Sequence, residues 1–151
     1  MERYTTSVNS LKEGSKIPEI NIVSYNNVVL KIGSQIDSPT VLSFWSHNYY
    51  EHFKESHIKL KELKRKYPEV KFISINIDDY NLDKSRKLLT DNGFSNMDEF
   101  KFKTPTESSD LLAIYPMTKT ILVDKNEKIV NSNTNIFSMQ FEEQLLGLIN
   151  R

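Results

Sequence analysis

The chain contains no cysteine, and this absence restricts its chemistry more than any other feature of its composition. Without a thiolate, neither thiol–disulfide exchange nor the formation of a cysteine sulfenic acid is available to the protein. Disulfide counting, which can indicate an oxidising or a reducing compartment, is silent here for the same reason.

An excess of charge of either sign is absent as well. Lysine plus arginine and aspartate plus glutamate each number 20, so the formal net charge is zero and a nucleic-acid partner is disfavoured. The densest basic run, residues 59–66, is interleaved with Glu62 on a helical pattern, which is typical of a solvated helix face. No apolar run approaches the ~20 residues of a membrane span, and residues 1–14 are too polar for the apolar region of a signal peptide.

The length and composition predict one globular domain. A chain of 151 residues, of which 38% are hydrophobic and 26% charged, can bury a core without additional cross-links. We expect residues 1–13 to form a polar lead-in and residues 14–151 to form the single domain. The polar start suits a chain cut from a longer precursor, so the missing signal does not establish a cytoplasmic location.

Strand-like and helix-like apolar patterns alternate along the chain and predict an α/β fold. Apolar and β-branched runs predict strands at residues 20–23, 28–30, 41–45, 70–77, 99–103, 119–123 and 128–131. Helical spacing predicts helices at residues 49–67, 82–92, 104–114 and 137–148. The nearly continuous apolar run at residues 41–45 is typical of a central strand, and we expect it to join residues 70–77 by a right-handed parallel crossover. Residues 99–103 are predicted to be a short edge segment.

Several residues with special backbone or capping roles mark the predicted helix ends. Pro68 ends the long helix, and Gly93 can adopt the left-handed conformation that ends the next one, with Phe94 folding back onto it. Residues 104–107 combine an N-cap threonine, a proline at the first helical position and a capping-box glutamate. Ser138 is the predicted N-cap of the last helix.

The stretch that we expect to carry function is residues 39–53, where the central strand runs directly into the long helix. The helix dipole and the unpaired N–H groups are focused at such junctions, where α/β folds usually place ligands and reactive groups. Tyr49, Tyr50, Glu51 and His52 occupy this junction, so its chemistry must be carried by groups other than a thiol.

Three segments of the chain resemble one known family, the TlpA/ResA-like and peroxiredoxin-related branch of the thioredoxin-like fold. Residues 14–22 (GSKIPEINI) are similar to its opening Gly-x-x-x-Pro-acid-apolar strand. Residues 41–52 (VLSFWSHNYYEH) resemble its Val-Leu-x-Phe-Trp-Ala-x-x-Cys-x-x-Cys segment. Residues 113–130 (AIYPMTKTILVDKNEKIV) resemble its Gly-Val-x-x-x-Pro-x-Thr-aliphatic-Leu-Ile-Asp-x-x-Gly-x-Ile-Val segment. The resemblance covers residues 14–151 and implies a central mixed sheet flanked by helices, with an N-terminal β extension.

The resemblance places three family landmarks on this chain, and all three are replaced. Tyr49 stands at the position of the nucleophilic cysteine, His52 at that of the resolving cysteine, and Thr118 at that of the cis-proline. Neither a phenol nor an imidazole can form a mixed disulfide. A cis bond before a non-proline residue costs about 3–4 kcal/mol, so we expect the Met117–Thr118 bond to be trans, with Pro116 stiffening the loop.

Two interpretations of Tyr49 and Tyr50 are open. The helix dipole could activate their phenols for binding or proton transfer, or their rings could fill the vacated site and shield the strand below. We favour the second, because no base partner is fixed beside them. The alternative of a non-thiol enzyme would use Tyr49, Glu51 and His52.

Three further residues lie at the ends of predicted strands. Trp45 could stack on a ligand, but a half-buried core tryptophan is the simpler expectation at the end of a central strand. Asp78 and Asp79 follow the next strand, which is a favourable address for a binding group, although helix capping explains them more simply.

The three histidines, His47, His52 and His57, suggest a metal site. Five residues turn a helix by about 140°, so the three do not share one helical face, although His47 and His52 could approach each other beside Glu51. We therefore predict no bound metal and interpret the histidines as a polar rim at the helix start.

The sequence thus predicts a redox-inactive thioredoxin-like domain, without enzymatic activity or cofactor, that binds an unidentified protein or extended peptide. The groove would lie between the Tyr49 loop and the Met117–Thr118 loop, where the resemblance implies main-chain pairing with substrates. Four residues are predicted to contact the partner: Trp45, Tyr50, Glu51 and Met117. The resemblance also implies a bacterial protein that works outside the cytoplasm, in the periplasm or cell envelope.

Overall fold

The computed structural model describes residues 11–114 and 119–151. Seven strands lie in this part of the chain: β1 (Asn21–Ser24), β2 (Val29–Lys31), β3 (Thr40–Trp45), β4 (Lys71–Asn76), β5 (Asp98–Phe102), β6 (Thr120–Val123) and β7 (Ile129–Thr134). Four α-helices accompany them: α1 (Tyr50–Lys66), α2 (Leu82–Asp91), α3 (Pro105–Leu111) and α4 (Phe141–Ile149). A short 3₁₀ helix at Ile32–Gln35, which the sequence did not predict, follows β2.

The seven strands form one mixed sheet in the order β2-β1-β5-β4-β3-β6-β7. The three strands β3, β4 and β5 are parallel, while β1 and β6 run antiparallel to their neighbours at either side. The predicted α/β fold with a mixed sheet, a central β3 and an N-terminal β extension is therefore confirmed. The prediction that residues 99–103 form an edge segment is wrong, because the β1–β2 hairpin pairs with the outer side of β5 and makes it an interior strand.

Side chains of β3 alternate between two apolar layers, as the period of a strand requires. Leu42 and Phe44 join the core on one face, which includes Ile73 and Ile75 of the neighbouring strand. Val41 joins the core on the other face, where α1 and α4 pack through residues such as Leu60. All six residues of β3 are buried, which explains why its sequence is a run of mainly apolar residues without a polar face.

A third, smaller apolar cluster lies where β3 meets α1. It consists of Trp45, Phe53, Leu89 and Phe94, so it joins the strand end to α1, α2 and the turn after α2. The predicted return of Phe94 onto α2 is confirmed, since its N–H donates to the Leu89 carbonyl at 2.9 Å. This cluster packs beside the loop that connects β3 to α1.

Two helices differ from the prediction at their ends. The helix α3 ends at Leu111, before the predicted Ile114, and the Thr104 side chain makes no capping bond to the backbone. The last helix begins at Phe141, because the Ser138 side chain accepts from the Gln140 N–H in a separate turn that precedes the helix. At the last helix, this local hydrogen bond of the turn replaces the capping pattern that the sequence suggested.

None of the helices in the part of the chain that the structure describes is long and apolar enough to cross a lipid bilayer.

Two glycines offer a matched test of how α2 is terminated. A Cβ added to Gly93 or to Gly147 would contact nothing within 4 Å, but Gly93 has a φ of +76° whereas Gly147 lies inside α4. We expect Gly93→Ala to reduce the free energy of unfolding by about 1–2 kcal/mol, because an L side chain is strained in the left-handed region. We expect Gly147→Ala to raise it by about 0.5–1 kcal/mol, because alanine is the better helix former. Urea unfolding measures both, and effects of the same sign would show that φ does not control the Gly93 turn.

Candidate functional site

The candidate site is the loop of residues 46–49 between the end of β3 and the start of α1. Tyr49 is the N-cap residue of α1, but its side chain makes no capping bond. Its backbone instead closes the loop, since its N–H donates to the Ser46 carbonyl at 3.1 Å and its carbonyl accepts from the Phe53 N–H at 2.9 Å. The chain therefore enters the helix through backbone turns, without a capping bond from the Tyr49 side chain.

The carboxylate of Asp78 holds this loop in place. Its Oδ1 accepts from the Ser46 hydroxyl at 2.7 Å, and its Oδ2 accepts from the His47 backbone N–H at 2.7 Å. The same Oδ2 accepts from the Asn76 side-chain amide at 3.0 Å. One carboxylate thus joins the end of β3 to the end of β4 and holds the backbone of the loop that leads to Tyr49.

The prediction that Asp78 and Asp79 cap the following helix is wrong. The N-cap of α2 is Asn81, whose side chain accepts from the Lys84 N–H at 3.0 Å. Asp78 is turned inward to the loop after β3, and Asp79 is exposed. Sequence reasoning missed this because the two partners, Ser46 and Asp78, are 32 residues apart and meet only through the parallel pairing of β3 and β4.

A buried lysine of β5 binds the loop after β4, which contains Asp78. Lys101 is 7% exposed, and its ammonium donates to the backbone carbonyls of Asp78 and Tyr80. Burial lowers its pKa, while Asp79 and Asp78 oppose that effect. The loop that presents Asp78 is therefore itself held at two carbonyls.

Tyr49 and Tyr50 are exposed to solvent, at 55% and 44% of their surface. The expectation that both rings fill the vacated site is therefore not met. Tyr50 leans on Phe53, with ring centroids 6.0 Å apart, and its hydroxyl donates to the Asn92 side chain at 3.3 Å. Tyr49 stands free of such side-chain contacts in the described residues, so both rings are available at the surface.

Trp45 is more deeply buried than predicted, with 1% of its surface exposed. The rings of His47, Phe53 and His57 pack against it, with centroid distances of 5.1, 4.6 and 5.7 Å. The indole therefore lies under the loop as a support, and a ligand on the surface would not touch it in this arrangement.

Glu51 and His52 lie in the first turn of α1 but do not assemble with Tyr49. Glu51 is exposed, and its negative charge is favourable at the helix N-terminus. His52 is half-buried beside Phe137, with ring centroids 6.2 Å apart, and burial lowers its pKa, as does the nearby His57. No side-chain hydrogen bond joins these three residues, although all of them are described.

The three histidines take separate roles. His47 packs over Trp45, and its Nε2 lies 2.9 Å from the Ser85 hydroxyl. His57 is fully buried, so the interpretation of all three as a polar rim is wrong for this residue. Within residues 11–114 and 119–151, no group of three His, Asp or Glu side chains is placed to hold a metal ion.

The structure brings together one pair that the sequence did not predict, His57 of α1 and Glu99 of β5. Their side chains are 1% and 4% exposed, and His57 Nε2 lies 2.8 Å from Glu99 Oε2. Burial raises the pKa of Glu99, and His57 opposes this effect. The position of His57, four residues after Phe53 and three before Leu60, is a signal that could have placed it on the buried face of α1. Glu99 gives no such signal, because Glu and Lys alternate with Phe as they would in a half-exposed strand.

Thr118, the predicted position of the lost cis-proline, and Met117, a predicted binding residue, lie outside the described residues. The prediction of a trans Met117–Thr118 bond therefore stays a prediction, and so does the groove that it would border.

The two neighbouring aspartates provide a matched test of the loop. We expect Asp78→Ala to lower the free energy of unfolding by about 2–3 kcal/mol, because it leaves the Ser46 hydroxyl and the His47 N–H without an acceptor. We expect Asp79→Ala, at an exposed position, to change it by no more than about 0.5 kcal/mol. Urea unfolding of both variants checks this, and equal effects would contradict the role assigned to Asp78.

Comparison with known proteins identifies the fold but no sequence family. No family model matches the chain, and no curated protein matches it. Solved structures match well. A protein from Bacteroides vulgatus assigned as a thiol-disulfide oxidoreductase superposes with a TM-score of 0.77 at 16% identity, covering 92% of this chain and 98% of its own. A Chlorobium tepidum protein assigned as the thiol:disulfide interchange protein DsbE gives 0.74 at 19%, with 93% and 99% covered.

A third match bears directly on the name of the fold. The thioredoxin domain of a Bacteroides vulgatus thiol-disulfide oxidoreductase superposes with a TM-score of 0.69 at 15% identity, covering 90% of this chain and 99% of that domain. Such low identities establish shared architecture and leave activity open. The chain therefore has the thioredoxin-like fold of thiol-disulfide oxidoreductases, in a sequence that contains no cysteine.

Proposed function

We propose that the protein is a redox-inactive thioredoxin-like domain that binds a protein or an extended peptide at the loop after β3. The observation that carries the proposal is the exposure of Tyr49 and Tyr50, at 55% and 44%, where the resemblance places the first cysteine and its neighbour. The fold holds this loop in place, and the loop presents aromatic side chains to solvent where the resemblance places a thiol.

Two further exposed rings extend the tyrosine pair into a surface. Tyr80 packs edge-on against His47 at 5.1 Å, and Phe137 packs edge-on against His52 at 6.2 Å, so each ring contacts a histidine of the segment that contains the two tyrosines. Tyr80 and Phe137 are 38% and 43% exposed. We refer to Tyr49, Tyr50, Tyr80 and Phe137 as the aromatic surface.

Such a surface suits a protein or peptide partner. Tyrosine and other aromatic residues are enriched at protein interfaces, because each ring offers a large apolar area at a small cost in conformational entropy. The loop that carries the tyrosines is held by Asp78, so the entropy cost of ordering it on binding is small. A preorganised aromatic platform is therefore the feature of this site that best fits recognition.

An enzymatic role without thiols has weaker support. Proton transfer needs a base within hydrogen-bond reach of its donor, and no side-chain hydrogen bond links Tyr49, Glu51 and His52. Binding therefore remains the better account of the exposed tyrosines.

We also propose that the protein works outside the cytoplasm of a bacterium, in the periplasm or cell envelope. The support is analogy alone: the matched structures come from bacteria, and one is assigned as the interchange protein DsbE.

The assignment of the two lost thiol positions can be tested by restoring them. The wild-type protein should not accelerate insulin reduction by dithiothreitol, because it has no thiol to attack a disulfide. The Tyr49→Cys/His52→Cys variant should form an intramolecular disulfide on oxidation, detected by titration of free thiols, and should accelerate insulin reduction. The reason is that the first cysteine would lie at the N-terminus of α1, which stabilises a thiolate.

The matched control is Tyr49→Cys/His52→Ser, which keeps one thiol and cannot close a disulfide within the chain. A folded double-cysteine variant that retains both free thiols after oxidation would show that positions 49 and 52 are not the equivalent pair.

The binding proposal is tested with peptides selected from a random-sequence display library on the immobilised protein. For a peptide selected in this way, we expect Tyr49→Ser/Tyr50→Ser to weaken binding at least about tenfold, since central aromatic residues commonly contribute more than 1 kcal/mol each. Isothermal titration calorimetry measures the affinities.

The control is Ile58→Ser/Leu146→Ser, which removes two hydrophobic side chains of similar exposure, 56% and 45%, outside the aromatic surface. It should leave the affinity within about twofold. The proposal fails if no peptide is enriched over a folded control protein, or if the two double variants weaken binding equally.

A further inference from the structure

The buried contact between His57 and Glu99 defines how many protons the pair holds. The Nδ1 atom of His57 lies 2.8 Å from the Phe53 backbone carbonyl. A carbonyl oxygen only accepts, so Nδ1 must carry a hydrogen, and in a neutral ring the other nitrogen, Nε2, is then a bare acceptor. Nε2 faces Glu99 Oε2 at 2.8 Å, and an ionised carboxylate is also only an acceptor. A contact of this length between two acceptors requires one proton between them.

That proton can be bound to either partner, and the pair holds one shared proton in both cases. On Glu99 it makes a neutral acid that donates to the imidazole, and on His57 it makes an imidazolium that donates to a carboxylate. Because the two groups share it, the proton belongs to the pair and not to either residue alone. The Ser74 hydroxyl, 3.2 Å from Nε2, adds a polar contact but no titrating proton.

In the part of the chain that the structure describes, no other cation is bonded to Glu99 in a way that could replace the proton. Among the described residues, His57 is the only basic side chain that forms an ion pair with Glu99. The Arg86 guanidinium is held by Asp83 and by the Tyr25 carbonyl. The ammonium of Lys101 is bound to the backbone carbonyls of Asp78 and Tyr80 in the loop after β4.

The other titratable groups near the pair are neutral or negative. Burial and the charge of Glu99 raise the pKa of Tyr25, so its phenol stays protonated. Burial lowers the pKa values of His47 and His52, so both rings favour the neutral form. The Asp78 carboxylate accepts two hydrogen bonds from the loop after β3. Removing the shared proton would therefore leave a buried carboxylate without a counter-charge, which is costly.

We propose that the His57–Glu99 pair is a proton-linked switch beneath the candidate site, which holds one proton in the folded protein and weakens the packing under the loop when that proton is lost. The pair touches the site directly. His57 is bonded to the Phe53 carbonyl in the first turns of α1, and the rings of Trp45, Phe53 and Phe94 pack on the imidazole at 5.7, 4.6 and 5.0 Å.

The sign of the pH dependence follows from the proton count. In the unfolded chain, a glutamate loses its proton above its ordinary pKa of 4.5, and a histidine loses its second ring proton above roughly 6.5. Between these values the folded and the unfolded pair each hold one proton, and above about pH 6.5 only the folded pair does. The stability that the pair contributes therefore falls as pH rises above about 6.5, until the folded pair itself releases the proton. His47 and His52, whose pKa values are lowered on folding, act in the opposite direction near pH 6.5, so a control variant is needed to isolate the pair.

The variant Glu99→Gln provides that control. Its side-chain amide has nearly the shape of the acid and donates a permanent N–H to His57 Nε2, so the hydrogen bond persists without a titrating proton. All other titratable groups are unchanged. The ratio of the unfolding equilibrium constants, wild type over variant, then reports the pair alone.

We expect this ratio, measured by urea unfolding from pH 5.5 to 8.5, to rise about tenfold per pH unit until the folded pair loses its proton, and then to level off. The fluorescence of Trp45, the single tryptophan, should change in the native wild type at the pH of that plateau, and the variant should lack this change. A ratio that stays constant over the whole range would overturn the proposal.

A second measurement does not depend on the folding of the variant. At pH 7.5, urea unfolding of the wild-type protein in weakly buffered solution should release about one proton per molecule, recorded by a pH indicator. Release of no proton would contradict a pair that holds one.

Discussion

The hydrogen bond between His57 and Glu99 is the contact on which the candidate site depends. It connects α1, the helix that follows the central strand, to β5, two strands away in the sheet. A carboxyl group buried to this degree is tolerated only with a partner, so a shift of the helix that separates the two side chains would leave a buried polar group unpaired, which is costly. The rings of Trp45 and Phe53 close over the pair and complete the floor of the site.

Above this floor, a second carboxylate sets the shape of the loop. Asp78 binds the Ser46 hydroxyl and the His47 N–H, so the turn that leads into α1 is rigid without any covalent link. In a thioredoxin-like fold, this is where the resemblance places the redox cysteines, and here the same backbone presents Tyr49 and Tyr50 to solvent. The fold is that of solved thiol-disulfide oxidoreductases, whereas this chain has no cysteine, and one fold can serve different functions.

Local patterns predicted the architecture well. The buried run of β3, the helical spacing of α1 and the stop at Gly93 each depend on neighbours within a few residues, and each is confirmed. The features that escaped prediction depend on contacts across the sheet. Glu99 looked like an edge residue because nothing near it in sequence shows that β1 pairs beside it. The roles of Asp78 and His57 were missed for the same reason, since their partners lie 31 to 42 residues away.

The exposure of Tyr49 and Tyr50 was also missed, because the buried cluster at the end of β3 is formed by Trp45, Phe53 and Phe94, which come from three separate parts of the chain. The central claim, that this loop binds a partner through its aromatic surface, is tested most directly by mapping a bound peptide at single-residue resolution. Titration of ¹⁵N-labelled protein with a selected peptide should shift the backbone amide resonances of residues 46–53, Tyr80 and Phe137. Shifts confined to other faces, such as the exposed side of α4, would contradict the account.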